Sequence, residues 1–459
     1  MPQGSLAGGL PTVVAQATPP GISALAIIRL TGSETLDILS RITQKPTTSF
    51  KPGRARLTYI YNSSGQLLDH VVATYYRAPK SYTGEDVVDI SCHGGLTTPK
   101  SITTACIDFG AVPAPPGEFT KRAFVNGKLD LSQAEAVADI IRAKTEKSQR
   151  IGAAALGGML SNEISSMREE LIAIIGHMGA ELDFLDHEST KVEKAEWASK
   201  ISSLKNTLCS LLETFSGGRV FRDGALVVIT GKPNVGKSSL LNTIIKEERV
   251  IVSVEPGTTT DAVDAHYDLG GIPVLFVDTA GIREAKTQIE SIGIGIAKNY
   301  LSSAALVLWV WSADELPNEL DAITSKPYFS APTIIVINKS DLITGNHSKT
   351  KYSSVSGKYL FVSAKTGHNI SRLLSEIETT LSLDVSVDQP LLTNKRHQTS
   401  LNSALISINR SLDTLGSGEP NELLLSDLGV CLSHLDTILG ITTPDHILNS
   451  VFNKFCVGK

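Results

Sequence analysis

Cysteine is scarce in this 459-residue chain, with five residues at 92, 106, 209, 431 and 456 and no Cys-x-x-Cys pair. An odd, scattered set excludes a disulfide framework and a structural zinc site. Such thiols are expected to be small buried hydrophobes. Long apolar runs are missing as well. The densest, Ala304 to Trp311, is far too short to cross a bilayer, so no membrane partner is expected. The first 28 residues contain no Lys or Arg, which leaves no basic segment for a secretory signal or a mitochondrial transit peptide. The expected location is cytoplasmic, or the mitochondrial matrix if the chain is a trimmed mature form. Basic excess is absent too: 42 Lys and Arg against 47 Asp and Glu leave a net charge of −5. Contact with a nucleic acid would need a local cluster, not a basic coat.

What is present is length and a pattern that changes along it. The length alone predicts about two to four domains. Residues 13–125 read as mixed α and β, with strands at Ala24–Leu30, Ala55–Tyr61, Val71–Tyr76 and Val87–Ser91. Ser33 is expected to cap a short helix through Leu36, Leu39 and Ile42. From Leu131 the apolar period becomes helical: Val137, Ile140, Ile141, then Ile164, Met167, Leu171, Ile174, Ile175, Met178 and Leu182. Residues 223–384 switch to short apolar strands alternating with helices, which predicts a parallel sheet covered on both faces. After Pro390 a stripe of Leu401, Leu405, Ile408, Leu412 and Leu415 returns the chain to helix, followed by stripes in 422–439 and 445–455. The expected organisation is an α+β domain at 1–125 and a helical domain made of 126–222 and 385–459. An α/β P-loop domain at 223–384 interrupts the helical one.

Gly231-Lys232-Pro233-Asn234-Val235-Gly236-Lys237-Ser238 matches the phosphate-binding pattern G-x-x-x-x-G-K-[ST], directly after a strand and, from Ser239, before a helix-forming run. Glycines let backbone N–H groups curl around phosphates, and the helix N-terminus adds positive potential. Lys237 would neutralise the β- and γ-phosphates and Ser238 would ligate Mg²⁺. Asp278-Thr279-Ala280-Gly281 ends the next apolar strand, where an Asp holds Mg²⁺ through water. Asn338-Lys339-Ser340-Asp341 ends another, and Asp341 can accept from guanine's N1–H and 2-amino group. Adenine lacks that pair, so the nucleotide is GTP. Ser363-Ala364-Lys365 ends a third strand, where it would brace the guanine.

Hydrolysis needs a group to orient water. The position after the D-x-x-G motif is Ile282, which cannot, so Arg283, Glu284 and Glu290 are the candidates. Gly257-Thr258-Thr259-Thr260-Asp261 lies where a switch threonine should complete the Mg²⁺ shell. Asn234, backbone carbonyls of the Ser253–Glu255 stretch and a Thr hydroxyl could together hold a monovalent cation beside the phosphates, supplying the charge of an arginine finger. Equally, Asn234 could only brace the loop.

Long stretches resemble the MnmE/TrmE family of tRNA-modifying GTPases: VVAQATPPG (13–21), SYTGEDVVDISCHGG (81–95), PGEFTKRAFVNGKLDLSQAEAVADII (116–141), DTAGIREA (278–285) and the terminal FCVGK. The resemblance implies a folate-binding, dimerising N-terminal domain and a helical domain interrupted by the GTPase. It also implies a partner flavoprotein, MnmG, carrying FAD and forming a heterotetramer. Together they would add a (carboxymethyl)aminomethyl-type group to C5 of wobble uridine 34 in certain tRNAs. The carbon would come from 5,10-methylene-tetrahydrofolate, for which 5-formyl-tetrahydrofolate is an analogue. By the same resemblance Asn234, Thr258 and the backbones of Ser253 and Glu255 would bind K⁺, Thr259 would join Ser238 on Mg²⁺, and Glu290 would orient the attacking water. Arg29, Asp89, Lys128 and Lys459 would contact folate. The chain departs from the family at Asp89 (usually Glu), Pro115 (Arg), Thr260 (Arg) and Val457 (Ile).

The tail Phe455-Cys456-Val457-Gly458-Lys459 has the cysteine spacing of a prenylation box, but Gly458 is not aliphatic, Lys459 is a poor terminal residue and no polybasic stretch precedes it. Cys456 is instead expected to serve the modification chemistry, a role the family implies, with Lys459 able to lower its pKa. Cys92-His93 should point to opposite faces of a strand rather than hold a metal. Trp309 and Trp311 are expected to pack. Lys121, Arg122 and Lys128 could contact folate or tRNA phosphate, or form a solvated helix start. Two alternatives of other classes are a ribosome-assembly GTPase and a membrane-anchored switch.

Overall fold

A computed structural model describes residues 10–183, 191–247, 250–251, 266–278, 300–314, 329–343, 359–381, 388–417 and 419–459. The chain divides into two compact units. One comprises the chain up to Ala138 with Ile164–Ala173 and Gly429–Lys459; the other comprises Asp139–Glu163 and Ile174–Leu428.

The first unit begins with a sheet of β1 (Val13–Gln16), β2 (Leu25–Thr31), β3 (Ala55–Tyr61), β4 (Leu67–Tyr76), β5 (Val87–His93) and β6 (Val112–Pro113), ordered β3-β4-β5-β2-β1-β6. Alternation decides the faces: Ile28, Leu30, Val88 and Ile90 are buried, while Arg29 and Asp89 between them point the other way. Helices α1 (Thr35–Thr43) and α2 (Thr98–Asp108) seal the apolar face with Ile38, Leu39, Ile42, Ile102 and Cys106. The period-two pattern located four of these strands to within a few residues. It overlooked β1 and β6, which are too short to show it. Ser33 does not cap α1; the N-cap is Glu34, without a side-chain cap, and its N–H donates to Thr12 Oγ1 at 3.0 Å.

Helix α3 (Glu118–Val125) corrects the expectation for Arg122. Arg122 is 2% exposed, and protein groups take up its guanidinium. Its guanidinium donates to Glu118 at 2.9 Å, to Glu85 at 2.8 Å and to the carbonyls of Pro11 (2.8 Å) and Thr31 (3.3 Å). Five donors in a fixed fork can saturate such a site, which a lysine could not.

Helices follow as the change of period requires: α4 (Leu131–Arg142), α5 (Glu146–Leu156), α6 (Met159–Asp183), α7 (Lys191–Glu213) and α8 (Phe215–Asp223). In α6 Ile164, Met167, Leu171, Ile174 and Met178 are all buried.

The α/β segment supplies β7 (Ala225–Gly231), α9 (Lys237–Glu247), β8 (Val250–Ile251), β9 (His266–Leu269), β10 (Ile272–Asp278), β11 (Leu306–Ser312), β12 (Thr333–Asn338), β13 (Tyr359–Phe361) and α10 (Ile370–Leu381). The order is β13-β12-β11-β7-β10-β9-β8. The strands from β13 to β10 are parallel, as expected; β9 and β8 add an antiparallel edge. Consecutive burial of Val227, Val228 and Ile229 reflects helices on both faces.

Helices α11 (Lys395–Ser417), α12 (Asn421–Leu439) and α13 (Asp445–Phe452) close the chain. α11 packs along α7, so segments on either side of the α/β insertion build one helical layer. Its buried stripe is not the leucine series read from sequence. Leu401 and Ile408 are buried with Ala404, Ser407, Ser411 and Thr414, whereas Leu405, Leu412 and Leu415 lie half-buried at the edge. Ser407 and Ser411 tolerate burial because each hydroxyl donates to the carbonyl four residues back.

In the first unit the C-terminal residues dock on α3. Gly117 has φ +72°, and a Cβ there would lie 2.6 Å from the Phe452 carbonyl oxygen, so the glycine of Pro-Gly-Glu-Phe admits α13. Cys92 is buried and His93 exposed, on opposite faces as expected, and His93 Nδ1 lies 2.7 Å from Asp69. Among the described residues no group of His, Cys, Asp and Glu could hold a metal ion, and no helix is long and apolar enough to cross a membrane.

Candidate functional site

The phosphate loop leaves β7 at Gly231, where any Cβ would overlap the Val310 carbonyl of the neighbouring strand. Asn234 and Gly236 take positive φ values, +64° and +91°, the kind of backbone that lets a loop's N–H groups form an anion-binding concavity. A Cβ on Gly236 would overlap Asn338, which donates to the carbonyls of Val235 (3.0 Å) and Gly236 (3.4 Å). Lys237 is buried, with its ammonium on the carbonyls of Gly231 (3.1 Å) and Lys232 (2.7 Å). It therefore sits inside the loop, where phosphate oxygens would take over its donors. Ser238 Oγ donates to Asp278 Oδ2 at 2.6 Å. Hydroxyl and carboxylate, 40 residues apart, converge as the hard oxygen set that suits Mg²⁺.

The base side is equally complete. Ser363 Oγ donates to Asp341 at 2.6 Å, and Ala364 N–H donates to Asn338 Oδ1 at 3.0 Å. The Ser363 hydroxyl, aided by Lys365 and Lys339, holds the Asp341 carboxyl below its ordinary pKa, ready to accept from guanine N–H groups. Lys339 adopts φ +61° and its ammonium is 4.0 Å from Asp314. Val235 and Ser239 flank the loop at the start of α9. Trp309 and Trp311 share one face of β11 with ring centroids 5.2 Å apart, and the Lys232 ammonium sits 5.5 Å from the Trp311 ring centroid. They pack, as expected, Trp311 against Lys232 of the phosphate loop and Trp309 against Phe329. Ser253, Glu255, Thr258, Thr259, Thr279, Ala280, Gly281, Ile282, Arg283, Glu284 and Glu290 lie outside the described residues.

A second polar site occupies the face of the first unit's sheet opposite α1 and α2. Arg29 and Asp89 are direct partners across β2 and β5 and form a two-pronged pair, Nε–Oδ1 2.8 Å and Nη2–Oδ2 2.9 Å. The Asp89 hydrogen bond raises the Arg29 pKa. The guanidinium lies 5.8 Å from the centroid of the Tyr82 ring, whose hydroxyl meets Thr120 at 2.9 Å. Lys128 reaches the Pro79 carbonyl at 3.2 Å, on the same 77–86 segment that carries Tyr82. The C-terminal tail arrives beside them. Gly458, φ +92°, packs so tightly on Gln16 and Ala17 that a Cβ would meet the Ala17 Cα at 2.7 Å. Ala15, on the same strand, faces Arg29. Cys456 is exposed, its carbonyl accepting from Gly117 N at 3.4 Å and from Lys459 N at 3.3 Å. Tyr82 was missed in the sequence, where no local pattern marks a ring that only the 77–86 turn carries beneath Arg29.

The two ends of the chain match known families in the same order. The N-terminal domain described as "GTP-binding protein TrmE N-terminus" matches residues 12–128, and "MnmE helical domain" matches residues 131–456. The tRNA modification GTPase MnmE of Carboxydothermus hydrogenoformans is 36% identical over 465 residues, spanning 98% of this chain and 99% of that protein. The chain belongs to the MnmE family. Other MnmE proteins agree: that of Koribacter versatilis is 38% identical over 453 residues, with 98% of this chain and 99% of that one covered. That of Aquifex aeolicus is 37% identical over 449 residues, covering 97% and 99%. The architecture is an N-terminal α+β domain and a helical domain into which a P-loop GTPase is inserted. This MnmE-family chain is a GTP hydrolase.

Proposed function

We propose that this GTPase is stimulated by K⁺ and acts with an MnmG-type flavoprotein, bearing FAD, to add a (carboxymethyl)aminomethyl group to C5 of wobble uridine 34 in certain tRNAs. The one-carbon unit would come from 5,10-methylene-tetrahydrofolate. The observation that carries the reading is the docking of the Cys456 tail on β1, beside the Arg29–Asp89 pair. An exposed thiol and a planar donor–acceptor pair over an aromatic ring then share one domain, as folate-dependent chemistry on a base requires.

The roles follow from the groups. Lys237 and the loop N–H groups bind the β- and γ-phosphates, Asp341 reads the base edge, and Ser363 to Lys365 brace it. Ser238, Thr259 and, through water, Asp278 would hold Mg²⁺, which supplies charge on the phosphates. Asn234, Thr258 and the backbones of Ser253 and Glu255 would hold K⁺, which supplies the charge of an arginine finger. Glu290 would orient the attacking water. Arg29, Asp89, Lys128 and Lys459 would bind the folate, which brings the carbon. Cys456 would act on the uracil ring by addition to C6 or by proton transfer. The chain would work as a homodimer and heterotetramer with its partner, in the cytoplasm, with domains divided near residues 125, 222 and 384.

Hydrolysis would be communicated to the helices through the strands β9 and β10, whose connecting turn at Gly270 and Gly271 is tied to α5. Thr145, the N-cap of α5, donates to the Gly271 carbonyl there at 2.7 Å, while Ser148 of α5 donates to the Phe221 carbonyl at 2.7 Å.

Nucleoside mass spectrometry of bulk tRNA, from cells with and without the gene, tests the proposal. C5-substituted wobble uridines should vanish without it, return with the wild type and stay absent with Cys456→Ser. An unchanged nucleoside profile refutes it. GTP turnover in KCl should exceed that in NaCl.

A further inference from the structure

We infer that Thr243 is a positioning residue for guanine recognition, tying the base-bracing loop to the helix that leaves the phosphate loop. The inference rests on reading this site as the GTP site. Thr243 lies on α9, six residues after Lys237 and outside every motif that marks the site. Its hydroxyl donates to the Ala364 carbonyl at 2.8 Å, across 121 residues of chain. The same hydroxyl is 2.9 Å from the Ser239 carbonyl, four residues back in its own helix. One proton serves both acceptors, and they are not equivalent. The helix carbonyl also belongs to the α-helical ladder, whereas among the described residues no other donor reaches the Ala364 oxygen.

The Ala364 residue is thus gripped from two sides: Asn338 accepts its N–H at 3.0 Å and Thr243 donates to its carbonyl at 2.8 Å. Asn338 in turn donates to the phosphate-loop carbonyls of Val235 and Gly236. The base loop is therefore tied to the phosphate loop through Asn338 and to α9 through Thr243, and only the first tie belongs to a recognised motif. A β-branched residue costs helix stability at a position where leucine or alanine would serve better. The cross-loop bond gives threonine a reason to be there. Without it, Ala364, the residue next to the hydroxyl that orients Asp341, would keep only its bond to Asn338, while the rest of the loop rests on its own turn bonds such as Ser363 N–H to the His368 carbonyl.

The test is nucleotide binding and turnover by the full chain carrying Thr243→Val, which keeps shape and removes the donor, with Thr243→Ser and Thr243→Ala alongside. Loss of one net hydrogen bond converts to about five-fold. The Kd for GDP and the KM for GTP should rise by about that factor in the valine and alanine variants, with kcat at saturating GTP unchanged, and serine should restore both. Weak competition by ATP, which does not engage Asp341, should change less, so discrimination between guanine and adenine falls. The inference is overturned if guanine affinity stays within two-fold of wild type. It is also overturned if GTP and ATP weaken together with a lowered Tm, the signature of a merely structural role. Asp341→Asn serves as the control on the site itself. Its amide should favour xanthine over guanine nucleotides, and if base preference does not move, the guanine-site reading falls and takes this inference with it.

Discussion

The two polar sites of this chain bring their residues together by different means. In the nucleotide site the described groups lie at the C-terminal ends of parallel strands and at the start of α9, and contiguous motifs of three to eight residues carry them. Arg29 and Asp89 are mid-strand residues 60 positions apart that meet because β2 and β5 pair in one register. A loop site is written in consecutive letters, since its backbone geometry must be local. A register site is written in the pairing of whole strands, and a slip of β5 by one residue would send Asp89 to the buried face and away from Arg29. Arg122 sharpens the contrast. Its sequence neighbours advertise a basic patch, yet its partners Glu85, Thr31 and Pro11 come from distant segments and turn it into part of the interior.

The comparison can be tested at several strengths. The largest effect is expected in thiol reactivity. Burial pushes Cys106 and Cys431 up to about 12 and Cys92 up to about 11. At pH 8 their thiolate fractions are then about 10⁻⁴ to 10⁻³. Iodoacetamide followed by peptide mass spectrometry should label the exposed Cys456 first, and the other three only as pH rises towards their pKa values. Early labelling of Cys106 would contradict the packing of α2.

Next comes Arg122→Met, which leaves Glu85 and Glu118 without their cation. It should destabilise by about 3–5 kcal/mol, read from urea unfolding. A loss below about 1 kcal/mol would return Arg122 to the surface cluster that its neighbours suggest. Lys237→Ala should lower kcat/KM for GTP by about 100-fold, the scale of one lost charge-stabilising donor. Binding of 5-formyl-tetrahydrofolate should stay unchanged, because that site is built on other strands. Coupled loss of both would mean the sites are not separate.

Gly117→Ala forces a Cβ to 2.6 Å from the Phe452 carbonyl at φ +72° and should cost about 2 kcal/mol. GTP turnover should persist while tRNA modification falls, since the tail and not the nucleotide loop is disturbed. The smallest effect is that of Asp89→Asn on stability, below about 1 kcal/mol, because the pair is partly solvated at 18% and 20% exposure. Calorimetry should nonetheless register weaker folate binding. Unaltered affinity would remove Asp89 from the site.

Sequence alone determined more of the nucleotide site than of anything else. The P-loop, Asp278, Asn338, Asp341 and Ser363 were legible in order, because glycines and capping residues must stand at set places for a backbone to wrap phosphate. Helical and strand periods likewise announced the change at Leu131 and the inserted α/β segment. Tertiary structure decided what depends on contacts between remote segments. It buried Arg122, shifted the α11 stripe towards Ala404 and Ser411, turned Tyr82 beneath Arg29, and seated Gly458 on Ala17. It also gave Thr243 a partner 121 residues away. Local propensity and motif spacing act over a turn or a loop. Which side chains share a buried site depends on how distant strands and helices pair, and a one-dimensional pattern holds no record of that distance.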